Sequence, residues 1–265
     1  MLRFFLTCFC LFCLSTAAQA AECNLRPGQT GQVVEVVDGD TIRLASGEKI
    51  RLVGIQAPKL SLGRKNFKAW PLAEEAKAKL EKLILNKTIQ LRYGGRETDR
   101  HRRLLAHVFS GKVWVQEAMI REGFARVYSF SDNRSCVEDL LEVEARSRAK
   151  KTAMWALPHY QVKQAADIEQ LSTLHNSFQI IRGKVLSVGE TKGKTYLNFG
   201  EIWKTDFTGE IKKRHLRYFK KHPLKLKELA GKEVLIRGWL GFHNGPKIDI
   251  SHPEQIEILK TGGLK

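Results

Sequence analysis

Apolar and polar residues alternate in "QVVEVV" (32–37) and "TIRLAS" (41–46), the pattern of half-buried strands. Between them stands "DGD" (38–40), and Asp-Gly is a strong hairpin signal. "EKIRLVGI" (48–55) predicts a third strand after the "SGE" turn. The period then changes. Leu72, Ala76, Leu80, Leu83 and Ile84 recur at helical spacing within residues 71–85. "TIQLRY" (88–93) and "LLAHVF" (104–109) predict two more strands. "VQEAMIREG" predicts a helix stopped by Gly123, and residues 138–155 a longer amphipathic helix.

Residues 158–177 carry no strand pattern and are expected to form a linker with one short helix. Strand patterns resume in "FQIIRGKVLSV" (178–188), "KTYLNFG" (194–200) and "DFTGEI" (206–211). A basic stretch, residues 213–231, is expected to be helical and bent at Pro223. "KEVLIRGWLGF" (232–242) and "KIDISHPEQIEIL" (247–259) close the pattern. Each half thus reads three strands, a helix, two strands. That order fits a five-stranded barrel of the oligonucleotide/oligosaccharide-binding (OB) type, followed in the first half by helices. The expected class is α+β, mainly β, with two OB-like barrels in tandem: residues 31–157, then 178–260, with a tail at 261–265.

Composition adds a partner. Lys and Arg number 45 against 28 Asp and Glu, a net charge of +17. A surplus that large favours nucleic acid or another anionic polymer. At the N-terminus, Arg3, the short apolar run "FFLTCFCLFCL" and "AQA" (18–20) have the form of an export signal, residues 1–20. The mature protein would start with an arm, residues 21–30, and be periplasmic or secreted, with no membrane span. Removal of the signal leaves two cysteines, Cys23 and Cys136. In an oxidising compartment an even pair suggests one disulfide; two free thiols are the alternative.

"VVDGDT", "RLVGIQAP", "TDRHRRLLAHV" and "ARSRAKKTAMW", in this order and spacing, resemble the staphylococcal nuclease (thermonuclease) family over residues 31–157. The resemblance implies a nuclease-type barrel with C-terminal helices. It also implies phosphodiester hydrolysis of DNA and RNA with one calcium ion, two arginines and an acid that serves water. Carried over by position, Asp40 matches a calcium-binding aspartate, Arg51 the first phosphate-contacting arginine and Arg103 the second. Arg102 stands where the family usually has glycine. Gln56 falls where a second calcium-binding aspartate belongs, and Lys59 where the water-serving glutamate belongs.

Calcium wants six to eight hard oxygens, and its affinity rises with ligand charge. With Gln56 and Lys59 in place of acids, a site on Asp40 and Gln56 is expected to hold calcium weakly or not at all, and no other cofactor is expected. What remains is a set of phosphate-binding candidates: Arg51, Lys59 and Arg103, with Tyr128 as a stacking face or a core residue. His101 and His107 read as a loop residue and a packed strand residue. In the second half, eight Lys or Arg and no acid lie between Lys212 and Lys227. Lys212, Lys213, Arg214 and Arg217 are the anion-binding candidates there. Tyr196, Phe199, Trp203 and Phe207 are either core aromatics or platforms for bases. Three functions follow. The first is an exported nucleic-acid-binding protein with its calcium-dependent hydrolysis impaired or lost. The second is a working nuclease with altered or no metal dependence. The third is an envelope or protein-interaction module.

Overall fold

The computed structural model describes residues 23–259. The expected export signal and the tail at 261–265 lie outside the described residues. In the first half, β1 (Arg26–Asp38), β2 (Thr41–Leu44) and β3 (Lys49–Leu52) form a meander. β4 (Ile55–Gln56) and α1 (Ala73–Ile84) follow, then β5 (Thr88–Tyr93) and β6 (Leu104–Ser110). β5 pairs with the first part of β1 and with β6, and β6 pairs in parallel with β3, so five strands close on themselves. β1 begins at Arg26, inside the segment expected to be an arm. It serves two neighbours: residues 26–32 pair with β5, and residues 33–38 with β2. Closure removes the exposed edges that a curled sheet would otherwise present.

Alternation along β1 to β3 points Val33, Val36, Ile42, Leu44, Ile50 and Leu52 inward. α1 covers one end of the barrel with Ala73, Ala76, Leu80 and Ile84, one residue per turn. β7 (Val113–Trp114) and α2 (Val115–Arg121) follow β6, and β8 (Arg126–Val127) pairs with β4. The long C-terminal helix is shorter than expected: α3 spans Val137–Ala149, and Ala153–Ala156 form a separate 3-10 turn. A disulfide joins Cys23 to Cys136, with Cα atoms 5.2 Å apart. It ties the start of the described chain to the start of α3.

The second half differs more from expectation. The segment before it is not strandless: β9 (Lys163–Gln164) adds to the sheet edge, ahead of α4 (Ile168–Ser172). The strand expected at 178–188 divides into β10 (Ser177–Lys184) and β11 (Ser187–Glu190). The break is a change of partner. β11 pairs with β12 (Lys194–Asn198), which pairs with β13 (Thr208–Lys212). The basic stretch is no continuous helix; it is two 3-10 turns around α5 (Leu216–Lys220). β14 (Glu233–Phe242) pairs with β10, and β15 (Pro246–Ile250) lies between β14 and β13. The ring therefore returns through the bend between β10 and β11. β16 (Ile256–Ile258) adds a short strand beside β14.

The two barrels are packed together. Met154, Trp155, Tyr160, Phe178, Ile180 and Leu235 form an apolar cluster between them. Beside it lies a buried ion cluster. Arg237 of β14 and Glu144 of α3 are both fully buried and meet at 2.8 Å. Glu144 also accepts from Arg148 (3.1 Å) and from the Val127 N–H (2.7 Å), while Glu257 reaches Arg148 (2.7 Å) and Arg237 (3.2 Å). Arg134 forks onto Glu254, and Ser129 meets His252 across the same seam.

Removing one member of a buried ion pair strands its partner. Glu144→Ala is expected to lower stability by about 3–5 kcal/mol, read as the urea midpoint at neutral pH. Burial also pushes His107 and His252 down to about 4 from an ordinary 6.5. Between these values the unfolded chain takes up protons that the folded chain does not. Stability is therefore full above pH 6.5 and falls towards pH 4, by up to on the order of 3 kcal/mol for each histidine. Urea unfolding at pH 7 and pH 4.5 should show the drop, and His107→Gln should make it smaller.

Candidate phosphate site

Strand register assembles the site. β2 and β3 pair with Thr41 opposite Arg51, which brings Arg51 beside Asp40 at the hairpin. The parallel pairing of β3 with β6 sets Arg51 opposite Leu105, two residues beyond Arg103. Gly39 is required at the turn, because a Cβ there would lie 2.6 Å from the Cβ of Ala57. Arg51, Arg103 and Tyr128 line one cavity of about 440 Å³ with Arg96, Arg100 and Phe130. Two acids, Asp99 and Asp132, share its wall.

Asp40 is fully buried, and both its oxygens are taken by Lys59. The ammonium lies 2.8 Å from Oδ1 and 2.6 Å from Oδ2. Oδ2 also accepts the Ala57 N–H at 2.8 Å, and Arg51 Nη2 stands 3.3 Å away. Burial alone would raise this carboxyl. The charges of Arg51 and Lys59 outweigh it and hold Asp40 well below the usual carboxylate range. Asp38, not among the expected site residues, is the second acid here. Its Oδ1 accepts the Asp40 N–H at 3.0 Å, and its Oδ2 lies 3.6 Å from Lys59. Burial, then the charge of Asp40, raises the Asp38 carboxyl. The sequence signal was present: "DGD" places two carboxylates on one turn.

Two expected placements differ in the structure. Gln56 does not face Asp40. The pairing of β4 with β8 sets it opposite Arg126, and its Oε1 accepts from Arg126 Nε and Nη2 at 3.0 and 2.7 Å. Arg126 is a buried cation, also missed in the sequence, and Gln56 satisfies it; burial pushes Arg126 down to about 10, still charged at neutral pH. Arg51 is not an open fork. Its Nη1 donates to the carbonyls of Leu52 (2.6 Å) and Asp40 (3.3 Å), and its Nη2 to that of Ile55 (2.7 Å). Among the described residues, Nε–H is the donor it has left for a ligand. Arg103 is the more available arginine. Asp99 holds it from one side through Nε (2.8 Å) and Nη2 (2.7 Å), which leaves Nη1 unengaged by the described residues. Arg102, where the resemblance expects glycine, has φ +61°, the left-handed region that explains the preference.

These residues do not fit a calcium ion. Ligands would have to come from Asp38, Asp40 and Gln56, whose oxygens already serve Lys59, backbone N–H groups and Arg126. The lysine ammonium occupies the position between the carboxylates. Elsewhere among the described residues, Glu138, His222 and Glu254 converge, but Arg134 engages both oxygens of Glu254.

The family model of staphylococcal nuclease homologues matches residues 49–157. Residues 49–157 carry a staphylococcal nuclease homologue domain. The chain is 29% identical over 131 residues to a thermonuclease of Staphylococcus hyicus, covering 48% of this chain and 76% of that protein. It is 29% identical over 129 residues to Endonuclease YncB of Bacillus subtilis (strain 168), covering 47% of this chain and 60% of that one. A prophage-derived endonuclease of the same organism, YokF, is also 29% identical over 129 residues, covering 43% of its length. The chain thus spans less than two thirds of both Bacillus endonucleases, and its second barrel lies outside the family match.

The basic residues of the second barrel are spread along a rim. Lys212 pairs with Asp249 at 3.2 Å, while Lys213, Arg214 and Arg217 are exposed. Tyr218, beside Arg217, lies under Arg134, whose guanidinium carbon is 5.6 Å from the ring centre. The rim therefore borders the loop at 130–134, which lines the arginine cavity. Among the described residues, no helix is long and apolar enough to cross a membrane.

The ion pair makes a specific prediction. Lys59→Met removes two contacts to Asp40 and leaves Arg51 and the Ala57 N–H in place. The Asp40 carboxyl is expected to titrate at higher pH than in the unaltered protein, followed by its ¹³C carboxyl shift. An unchanged titration would show that Lys59 does not hold Asp40 in solution.

Proposed function

We propose that this chain binds the phosphates of nucleic acid on its nuclease homologue domain, and that metal-dependent hydrolysis has been lost from it. One observation carries this: Lys59 Nζ lies 2.6 and 2.8 Å from the two oxygens of Asp40, where a catalytic metal would need them free. With the ammonium there, the carboxylate is neutralised from within. Gln56, engaged with Arg126, adds no charge. The arginine cavity is open beside this closed pair. Arg103, Arg100 and Arg96 supply donors, and phosphate is their natural acceptor. The net charge of +17 adds long-range attraction for a polyanion. Export is part of the same proposal, supported by the form of residues 1–20 and by the disulfide between Cys23 and Cys136.

The test is cleavage and binding of labelled single-stranded DNA by the mature protein, with calcium, with other divalent ions and with a chelator. The expected result is no cleavage in any condition and salt-sensitive binding. Arg103→Ala should weaken binding and reduce the log–log salt slope by about 1. Lys59→Glu should recover metal affinity and, with it, any latent cleavage. Chelator-sensitive cleavage by the unaltered protein would overturn the proposal.

A further inference from the structure

The arginine cavity does not end at the first barrel. Tyr128 and Phe130 line it, and the same two residues line a second cavity, of about 300 Å³, between the barrels. That cavity continues over Trp239 to Lys247. Lys247 in turn lines a third, of about 360 Å³, on the open face of the second barrel, with Tyr196, Trp203 and Glu210. Shared walls thus join three cavities into one path.

Its character changes along the way. The first part carries arginines. Next come exposed rings: Phe130 is 46% exposed and Trp239 47%. Trp239 is held in place, since its indole N–H donates to the Tyr128 hydroxyl at 3.0 Å. The far end has Trp203, 57% exposed, beside Glu210. Of the four aromatics weighed as platforms, Phe207 is fully buried and Phe199 packs on the core, while Tyr196 and Trp203 face the cavity. Glu210 is 3% exposed. Its Oε2 accepts from Lys194 (3.0 Å) and Lys247 (3.4 Å), whereas Oε1 has no donor among the described residues.

We propose that the open face of the second barrel is a base-binding extension of the arginine cavity, so that one single strand of nucleic acid is held by both barrels. The proposal rests on the phosphate-binding function of the first barrel. Successive bases of a single strand expose flat faces that stack on aromatic rings, while its phosphates need cations; the path offers both in series. A duplex keeps its bases stacked inside, and its backbone would use the arginines but not the rings. A neutral glycan would use the rings but not the arginines. At the far end a base stacked on Trp203 presents amino or imino N–H groups towards the wall where the Glu210 acceptor is unfilled.

The experiment is fluorescence anisotropy of the mature protein with labelled single strands of about 18 and about 4 nucleotides, over a series of salt concentrations. The short strand can be held by the arginine cavity alone; the long one can reach the second barrel. Trp203→Ala should weaken the long strand about tenfold and leave the short strand and the salt slope unchanged. Glu210→Gln should alter the order of affinity among homopolymers of different base, which a merely structural change would lower together. Arg103→Ala should weaken both lengths. If Arg103→Ala weakens binding but Trp203→Ala changes neither strand, the phosphate site stands and the extension is wrong. If neither strand binds, the phosphate reading itself fails. Binding of an oligosaccharide that Trp203→Ala abolishes, with no effect on the long strand, would also overturn the extension.

Discussion

Glu144 is the residue on which the arrangement of this molecule depends. It is a carboxylate without solvent, and a buried charge is tolerated only when donors surround it. Here they come from three parts of the chain: the Val127 N–H of β8, Arg148 of its own helix and Arg237 of the second barrel. Such a pair repays little of its desolvation as net stability. What it confers is orientation, because moving β14 off α3 would strand the Glu144 carboxylate and the Arg237 guanidinium, whose Nε has no acceptor among the described residues. The chain leaving β8 carries Tyr128, Ser129 and Phe130, so the same contacts fix the loop that both cavities share.

The site at the hairpin follows a different logic. Two buried acids on one turn, Asp38 and Asp40, demand a counter-cation. A metal is one solution, and an ammonium with a guanidinium is another. This chain has the second, with Lys59 and Arg51. Once Arg51 is committed to Asp40 and three carbonyls, it stabilises the turn more than it reaches outward. The outward-facing charge then lies on the loop at 96–103. Asp99 shapes that loop by accepting the His101 and Arg103 N–H groups. The arginines that line the open cavity are thus distinct from the cations that hold the two buried acids, save for Arg51, which touches both.

Much of this could be read along the chain. Period-two and period-3.6 patterns placed the five barrel strands of the first half, α1 to α3 and most strands of the second half, because burial of one face is a local consequence of alternation. The family motifs located Asp40, Gln56, Lys59 and Arg103 in order. Parity and compartment suggested the bond between Cys23 and Cys136. Where pattern failed, the cause was a long-range partner. β9 is two residues long and exists because β10 offers an edge. The basic stretch lacks a continuous helix because apolar residues such as Leu216, Phe219 and Leu229 are drawn to the barrel core at uneven spacing.

The sequence by itself determined most of the longer elements, the sign of the net charge, and the amide and the ammonium at residues 56 and 59. These depend on residue identity and on neighbours a few positions away. Tertiary structure alone decided where each charge points. Gln56 meets Arg126 because β4 and β8 pair in one register, seventy residues apart. Arg51 turns inward because the carbonyls of Leu52 and Ile55 converge on it, and Trp203 stays in solvent while Phe207 fills the core. Hydrogen bonds and burial are settled by distance in space, and for Gln56 and Arg126 that distance bears no relation to separation along the chain.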